Sequence, residues 1–180
     1  MKSLVPNSKI LSEAIIMISL SAMLHYVKLF ALPQGGSVTL GSIVPILLFA
    51  IRRGIKPGIF AGFILGLVSL IQNPFIYNPI QVLLDYPFAF ASLGLAGIFV
   101  KNHSDSNLFK PIMGVILSVS IRLFFHVVSG IIFFSEYAPE GMNPIVYSLI
   151  YNGSFLGVEL IISIIIISII IKRGILSVYR

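Results

Sequence analysis

The sequence contains no cysteine, so neither disulfide cross-links nor thiolate metal sites are open to it. It contains no tryptophan either, which leaves ring stacking to its 14 Phe and 7 Tyr. Only 10% of its 180 residues are charged, whereas a soluble surface needs roughly a quarter. It has no G-x-x-x-x-G-K-[ST] run, so the usual P-loop route to ATP hydrolysis is closed and any uphill transport must draw its energy from elsewhere. No internal repeat, low-complexity linker or second composition block divides the chain, and a single domain over residues 1–180 is expected.

What remains is largely hydrocarbon. With 57% hydrophobic residues and a mean hydropathy of +1.04, the composition predicts an all-α integral membrane protein. Six apolar segments approach the roughly 20 residues needed to cross a bilayer. Their expected limits are about Ile10–Phe30, Val38–Ile51, Lys56–Ile71, Asn78–Val100, Pro111–Phe134 and Pro144–Ile171. Turn signals separate them at Pro33-Gln34-Gly35-Gly36, Arg52-Arg53-Gly54 and Asn73-Pro74, and the polar stretch KNHSDSNLFK fills 101–110. The first segment is long enough to span and lacks a small-residue cleavage site, so it reads as a retained helix and not a cleaved signal peptide.

Placing both termini in the cytoplasm puts ten of the 12 Lys and Arg inside: Lys2, Lys9, Arg52, Arg53, Lys56, Lys101, Lys110, Lys172, Arg173 and Arg180. The positive-inside rule therefore predicts an N-in, C-in bundle of six transmembrane helices. Its outward loops are 31–37, 72–78 and 135–143. The net charge of +6 comes from residues at segment ends, which suits lipid headgroups and not nucleic acid.

Charged and polar groups inside apolar segments are functional candidates, because hydrocarbon tolerates them only beside a partner or a wet cavity. Asp85 shares a helix face with Gln81 by i,i+4 spacing, and so does His126 with Arg122. Asp85 either pairs with Arg122 or faces a cationic ligand, and the two roles are compatible. Arg122 cannot shed its charge, so a structural ion pair with Asp85 or with Glu159 is expected. No His or carboxylate stands at metal-binding spacing from His126, so no metal or other cofactor is expected. Aromatic residues gather toward the outer end: Phe75, Tyr77, Tyr86, Phe133, Phe134, Tyr137, Tyr147 and Tyr151. They serve as an interfacial belt, and around one carboxylate they also form a cage suited to a flat cation. Ser148 and Asn152 share a face of the last segment. A small intramembrane enzyme using Asp85 and His126 as a general base pair would need a nucleophile or metal within reach, and the sequence carries the signature of neither.

The runs RLFFHVVSGIIFFSEYAPEG and VYSLIYNG, with VPILLFAIRRGIKPGIFAGFILG and QVLLDY before them, resemble the thiamine-specific S-components of energy-coupling factor (ECF) transporters. The resemblance extends from about Pro45 to Gly153 in the same order and at near-constant spacing. It implies a non-enzymatic six-helix subunit, cytoplasmic at both ends, that captures vitamin B1 at its outer face. It also implies partners, a transmembrane coupling subunit and two ATPases, with delivery by toppling of the S-component in the bilayer. Its pocket positions fall on Asp85, Tyr86, His126, Phe134, Tyr147 and Asn152, with Phe75 where the family has a tyrosine and Tyr137 in the same aromatic cluster. Helix phase alone favours Phe133, about 20° from the His126 direction, over Phe134 at about 80°; the motif selects Phe134. The chain departs from the family pattern in having Asp85 for a glutamate, Phe134 for a tryptophan and Gly36 near a second tryptophan. Those losses of stacking surface leave thiamine, or a hydroxymethylpyrimidine or thiazole precursor of it, as the expected ligand. Ala14, Ser19, Ser21 and Ala22 are the small residues of the first segment that would serve docking on the coupling subunit.

Overall fold

The computed structural model describes residues 8–100 and 108–174. Most of the polar loop at 101–110 and three of the ten basic residues counted as cytoplasmic, Lys2, Lys101 and Arg180, lie outside the described residues. The described residues form six principal helices: α1 (Ser8–Leu24), α2 (Val44–Arg53), α3 (Ile55–Gln72), α4 (Pro79–Gly97), α5 (Phe109–Phe133) and α6 (Pro144–Lys172). The last four are long and apolar enough to cross a membrane.

The first two segments differ from the sequence expectation. Helix α1 stops at Leu24, and Lys28–Ala31 forms strand β1, paired antiparallel with β2 (Ser37–Thr39) in the register Phe30 to Val38 and Ala31 to Ser37. The reversal sits where the sequence has Pro33-Gln34-Gly35. Gln34 and Gly35 both take positive φ, 59° and 92°, a conformation that glycine adopts freely and glutamine rarely. Helix α2 has 10 residues, about 15 Å at 1.5 Å per residue, or half the hydrocarbon thickness. Gly41 at φ 79° and Pro45 in the first turn confine it, and almost all of it is buried. It is a core plug, with Ile46, Leu47 and Phe49 wholly enclosed.

Helix α4 begins with Asn78 capping the amide of Ile80 at 2.9 Å and Pro79 in the first turn, where its missing N–H is harmless. At Leu84–Phe88 the ladder widens to a π turn around Pro87, which has no amide to donate. Asp85 and Tyr86 belong to this turn. Asn143 caps α6 in the same way as Asn78 caps α4, accepting from Ile145 N at 2.8 Å.

Away from these caps, α3, α4 and α5 meet backbone to backbone. A methyl added at Gly94 would stand 2.1 Å from Ile59 N, and one at Gly114 2.1 Å from Ala96 O. At the same end Glu13 of α1 binds Arg52 (2.9 Å) and Arg53 (2.5 and 2.7 Å). Of the four small residues of α1, Ala14 and Ser21 are buried in the bundle and Ala22 packs partly against its core, which leaves Ser19 exposed.

Candidate functional site

At the opposite end the helices part around a cavity of about 120 Å³. Loops 31–37, 72–78 and 135–143 all contribute to its wall, through Gly36, Phe75 and Tyr137 among others. Asp85, Tyr86, His126, Phe134, Tyr147, Asn152, Phe75 and Tyr137 all line it, as do Arg122 and Glu159.

The polar centre is a chain of hydrogen bonds. His126 Nδ1 lies 3.1 Å from Asp85 Oδ1, while Asp85 Oδ2 accepts from Ser129 Oγ (2.9 Å) and Gln81 Nε2 (2.7 Å). Arg122 Nε donates to His126 Nε2 at 3.4 Å. Arginine has no acceptor, so Nε2 must accept and Nδ1 carries the proton toward Asp85. Asp85 is thus a mostly covered carboxylate, 17% exposed, fixed by three side chains.

The expected ion pair of Arg122 with Asp85 or Glu159 is not formed directly. Glu159 Oε1 is taken by Thr39, through its amide at 2.8 Å and its hydroxyl at 2.5 Å. The strand that brings Thr39 there is the one that replaced expected helix. Arg122 instead lies 4.2 Å from the centre of the Phe90 ring and bonds His126, and its Nη1 has no protein partner. It and Glu159 face the same hollow as separated charges.

The aromatic wall has two parts. Phe134 stands 5.7 Å from Phe75 and 6.2 Å from Tyr137, and its backbone, at φ −128° and ψ 17°, has already left the helix. That unwinding turns Phe134, and not Phe133, into the cavity, against simple helical phase. Across from it, Tyr147, Tyr151 and Phe155 follow one another along α6, and Phe155 meets His126 edge-on at 6.0 Å. Tyr151 hydroxyl donates to Pro33 O and accepts from Gly36 N at 3.2 Å, tying the β-hairpin to α6. A Cβ at Gly36 would lie 2.9 Å from the Phe155 ring, so Tyr151 and Phe155 fill the space a side chain at 36 would need.

Two further candidates, Tyr86 and Asn152, also bond the protein, Tyr86 through its hydroxyl and Asn152 through Nδ2. The Tyr86 hydroxyl accepts from Phe75 N and donates to Asn73 O, both at 2.9 Å, so it holds loop 72–78. Asn152 Nδ2 donates to Ser148 O at 3.0 Å and reaches the His126 carbonyl at 3.4 Å. Close approach of α5 and α6 at Gly130 and Ser148 makes those contacts possible.

Sequence reasoning did not find Thr39, Ser42, His25, Phe90 or Phe155 in this wall. Phe155 lies one turn beyond Tyr151 on the same face and was reachable by periodicity. Thr39 and Ser42 were not, because they follow from the hairpin. Ser129 bonds Asp85 and has no bond to His126, so the Ser129, His126 and Asp85 cluster does not activate a serine nucleophile. Among the described residues no group of His, Asp or Glu could hold a metal ion.

Residues 11–176 match the family described as Thiamine transporter protein (Thia_YuaJ). The chain belongs to the thiamine transporter family. Among its relatives, the thiamine transporter ThiT of Bacillus subtilis (strain 168) is 36% identical over 157 residues, 81% of each chain. ThiT of Lacticaseibacillus paracasei is 33% identical over 141 residues, 72% of this chain and 70% of that one. The solved structure of ThiT from Listeria monocytogenes superposes with a TM-score of 0.81 at 30% identity, covering 93% of this chain and 96% of that one. The family match spans every helix that contributes to the cavity.

Proposed function

We propose that this member of the thiamine transporter family is the membrane-embedded capture subunit of a vitamin importer and holds thiamine in the cavity between α4, α5 and α6. The observation that carries this reading is the Asp85 carboxylate, oriented by His126, Ser129 and Gln81 inside a wall of aromatic rings. Thiamine joins a permanently cationic thiazolium to a flat aminopyrimidine. Asp85 supplies a charge-assisted contact, Phe134, Phe75, Tyr137 and Tyr147 cover ring faces, Asn152 meets a polar edge, and His126, with both nitrogens engaged, holds Asp85 in place. The relatives named as ThiT are thiamine transporters, which favours capture over turnover.

The cavity opens at the end opposite the basic residues Lys9, Arg52, Arg53, Lys56, Lys172 and Arg173, so the positive-inside rule points it outward with both termini in the cytoplasm. Lacking a P-loop, the chain needs partners to drive uptake, and the ECF arrangement of a transmembrane coupling subunit with two ATPases meets that need. Copurification of those subunits with the tagged chain tests it, and a chain that supports uptake alone would overturn it.

Calorimetric titration of the purified chain with thiamine, its phosphates, the free hydroxymethylpyrimidine, the thiazole and riboflavin tests the ligand. One-to-one binding of thiamine is expected, and tighter binding of the free pyrimidine or thiazole would reassign the site to a precursor. Asp85→Ala removes a hydrogen bond to a charged group worth about 1.5–3 kcal/mol, a loss of roughly ten- to a hundredfold in affinity. Unchanged thiamine binding in that variant would reject the assignment.

A further inference from the structure

Gln81 is 1% exposed and stands in the first turn of α4, yet every polar atom of its side chain is bonded. Its Oε1 accepts from Tyr77 N at 3.0 Å, and its Nε2 donates both to Phe75 O (3.1 Å) and to Asp85 Oδ2 (2.7 Å). One amide thus joins the loop that carries the Phe75 ring to the carboxylate of the next helical turn. The Tyr86 hydroxyl grips the same loop from the other side, at Phe75 N and Asn73 O.

A carboxylate offers about four acceptor positions. Three are filled here, two on Oδ2 by Gln81 and Ser129 and one on Oδ1 by His126. The remaining position is on Oδ1, so the protein donors decide which oxygen is left for a ligand. Ser129 and His126 come from α5 and fix the carboxylate relative to that helix. Gln81 alone among the three also reaches a cavity loop.

We infer that Gln81 is a positioning residue for ligand binding: it orients Asp85 so that Oδ1 carries the free acceptor position, and it sets the Phe75 wall in register with that oxygen. This rests on the capture reading above. A carboxylate whose Oδ2 loses its shortest donor rotates toward a compromise between Ser129 and the ligand, while Phe75 and Tyr77 lose their tethers. The effect passes through Asp85 and the loop and needs no contact between Gln81 and the ligand.

The test is a double-mutant cycle read by thiamine calorimetry on the full chain, combining Gln81→Met, of similar volume, with Asp85→Ala. Gln81→Met is expected to weaken binding about tenfold in the native background and only about threefold beside Asp85→Ala, where the carboxylate it orients is gone and its tether to the loop is all that remains to be lost. Equal losses in both backgrounds would mean that Gln81 acts independently of Asp85, and the inference falls. Amide exchange supplies a second reading that does not depend on affinity: Tyr77 should lose protection in Gln81→Met while the interior of α5 keeps its own. Retained protection at Tyr77 also overturns the inference. Should the unsubstituted chain bind no thiamine, the capture reading fails and this inference fails with it; normal native binding with additive losses defeats this inference alone.

Discussion

The two ends of this bundle are built on opposite principles. Toward one end α2, α3, α4 and α5 touch through glycine, with Gly58, Gly62, Gly94, Gly97 and Gly114 each leaving less than 3.0 Å for a Cβ. Toward the other end α3, α4 and α5 present Ser69, Asp85, Tyr86, Arg122 and His126 to a hollow. Close backbone approach excludes side chains and therefore cavities, so the glycine contacts act as a clamp that lets the far halves of the helices diverge without the bundle falling apart. In a bilayer, where hydrocarbon gives helices no hydrophobic reason to associate, such small-residue contacts are a main source of association. The cavity end has close contacts of its own, Gly66 against Tyr86 O at 2.6 Å and Gly130 against Ser148 Oγ at 2.1 Å, but there the polar side chains around the hollow are held by named hydrogen bonds.

The sharpest way to break this contrast is to place a methyl in the clamp. Gly94→Ala puts Cβ 2.1 Å from the Ile59 amide nitrogen, backbone that cannot swing aside, and is expected to destabilise by about 3 kcal/mol or more. Thermal melting in detergent should show a collapse in midpoint or in folded yield. Gly153→Ala in α6, where nothing lies within 4 Å, is the control and should be neutral or slightly stabilising. If both variants melted alike, the clamp would not exist.

A smaller loss is expected at the polar end from Thr39→Val, which keeps the shape and removes the hydroxyl that donates to Glu159. A buried carboxylate losing a donor costs about 1–3 kcal/mol. The melting midpoint should fall by less than in Gly94→Ala, and an unchanged midpoint would show that Glu159 draws its support from elsewhere.

Much of this was legible in the sequence, and the illegible part has a common cause. Six apolar segments and their order follow from hydropathy, and i,i+4 spacing puts Gln81 with Asp85, Arg122 with His126 and Ser148 with Asn152 on shared faces. The gathering of Asp85, His126 and Asn152 from three helices was legible only through the family resemblance. The β-hairpin was not legible, because Val27 to Phe30, apart from Lys28, and Val38 to Thr39 are as apolar as a helix continuing through the bilayer, and hydropathy cannot tell a short apolar strand from a helix. Missing the hairpin hid Thr39, and with it the reason Glu159 does not pair with Arg122. Phe134 shows the converse: helical phase pointed to Phe133, while the chain unwinds one residue earlier than phase assumes. The equal spacing of Gln81 and Asp85 was visible, but not the bonds from Gln81 to Phe75 and Tyr77, which depend on how loop 72–78 folds back over α4.

The mildest prediction tests the open end from within. Phe134 lies at the wall of the cavity, only partly buried, with Phe75, Tyr77 and Tyr137 each within 6.2 Å of its ring. Phe134→Trp enlarges the stacking face beside a cation, a gain of about 0.5–1 kcal/mol at a half-exposed position, or roughly two- to fivefold tighter thiamine binding. Because the chain has no native tryptophan, the new indole is also its sole tryptophan fluorophore. Its emission should change on saturation with thiamine and stay constant with a ligand that does not enter the cavity. Tighter binding with an emission change places a ligand ring against residue 134. Weaker binding with the same emission change would mean that the hollow is already filled by its rings, and that the open end is as intolerant of added volume as the glycine clamp.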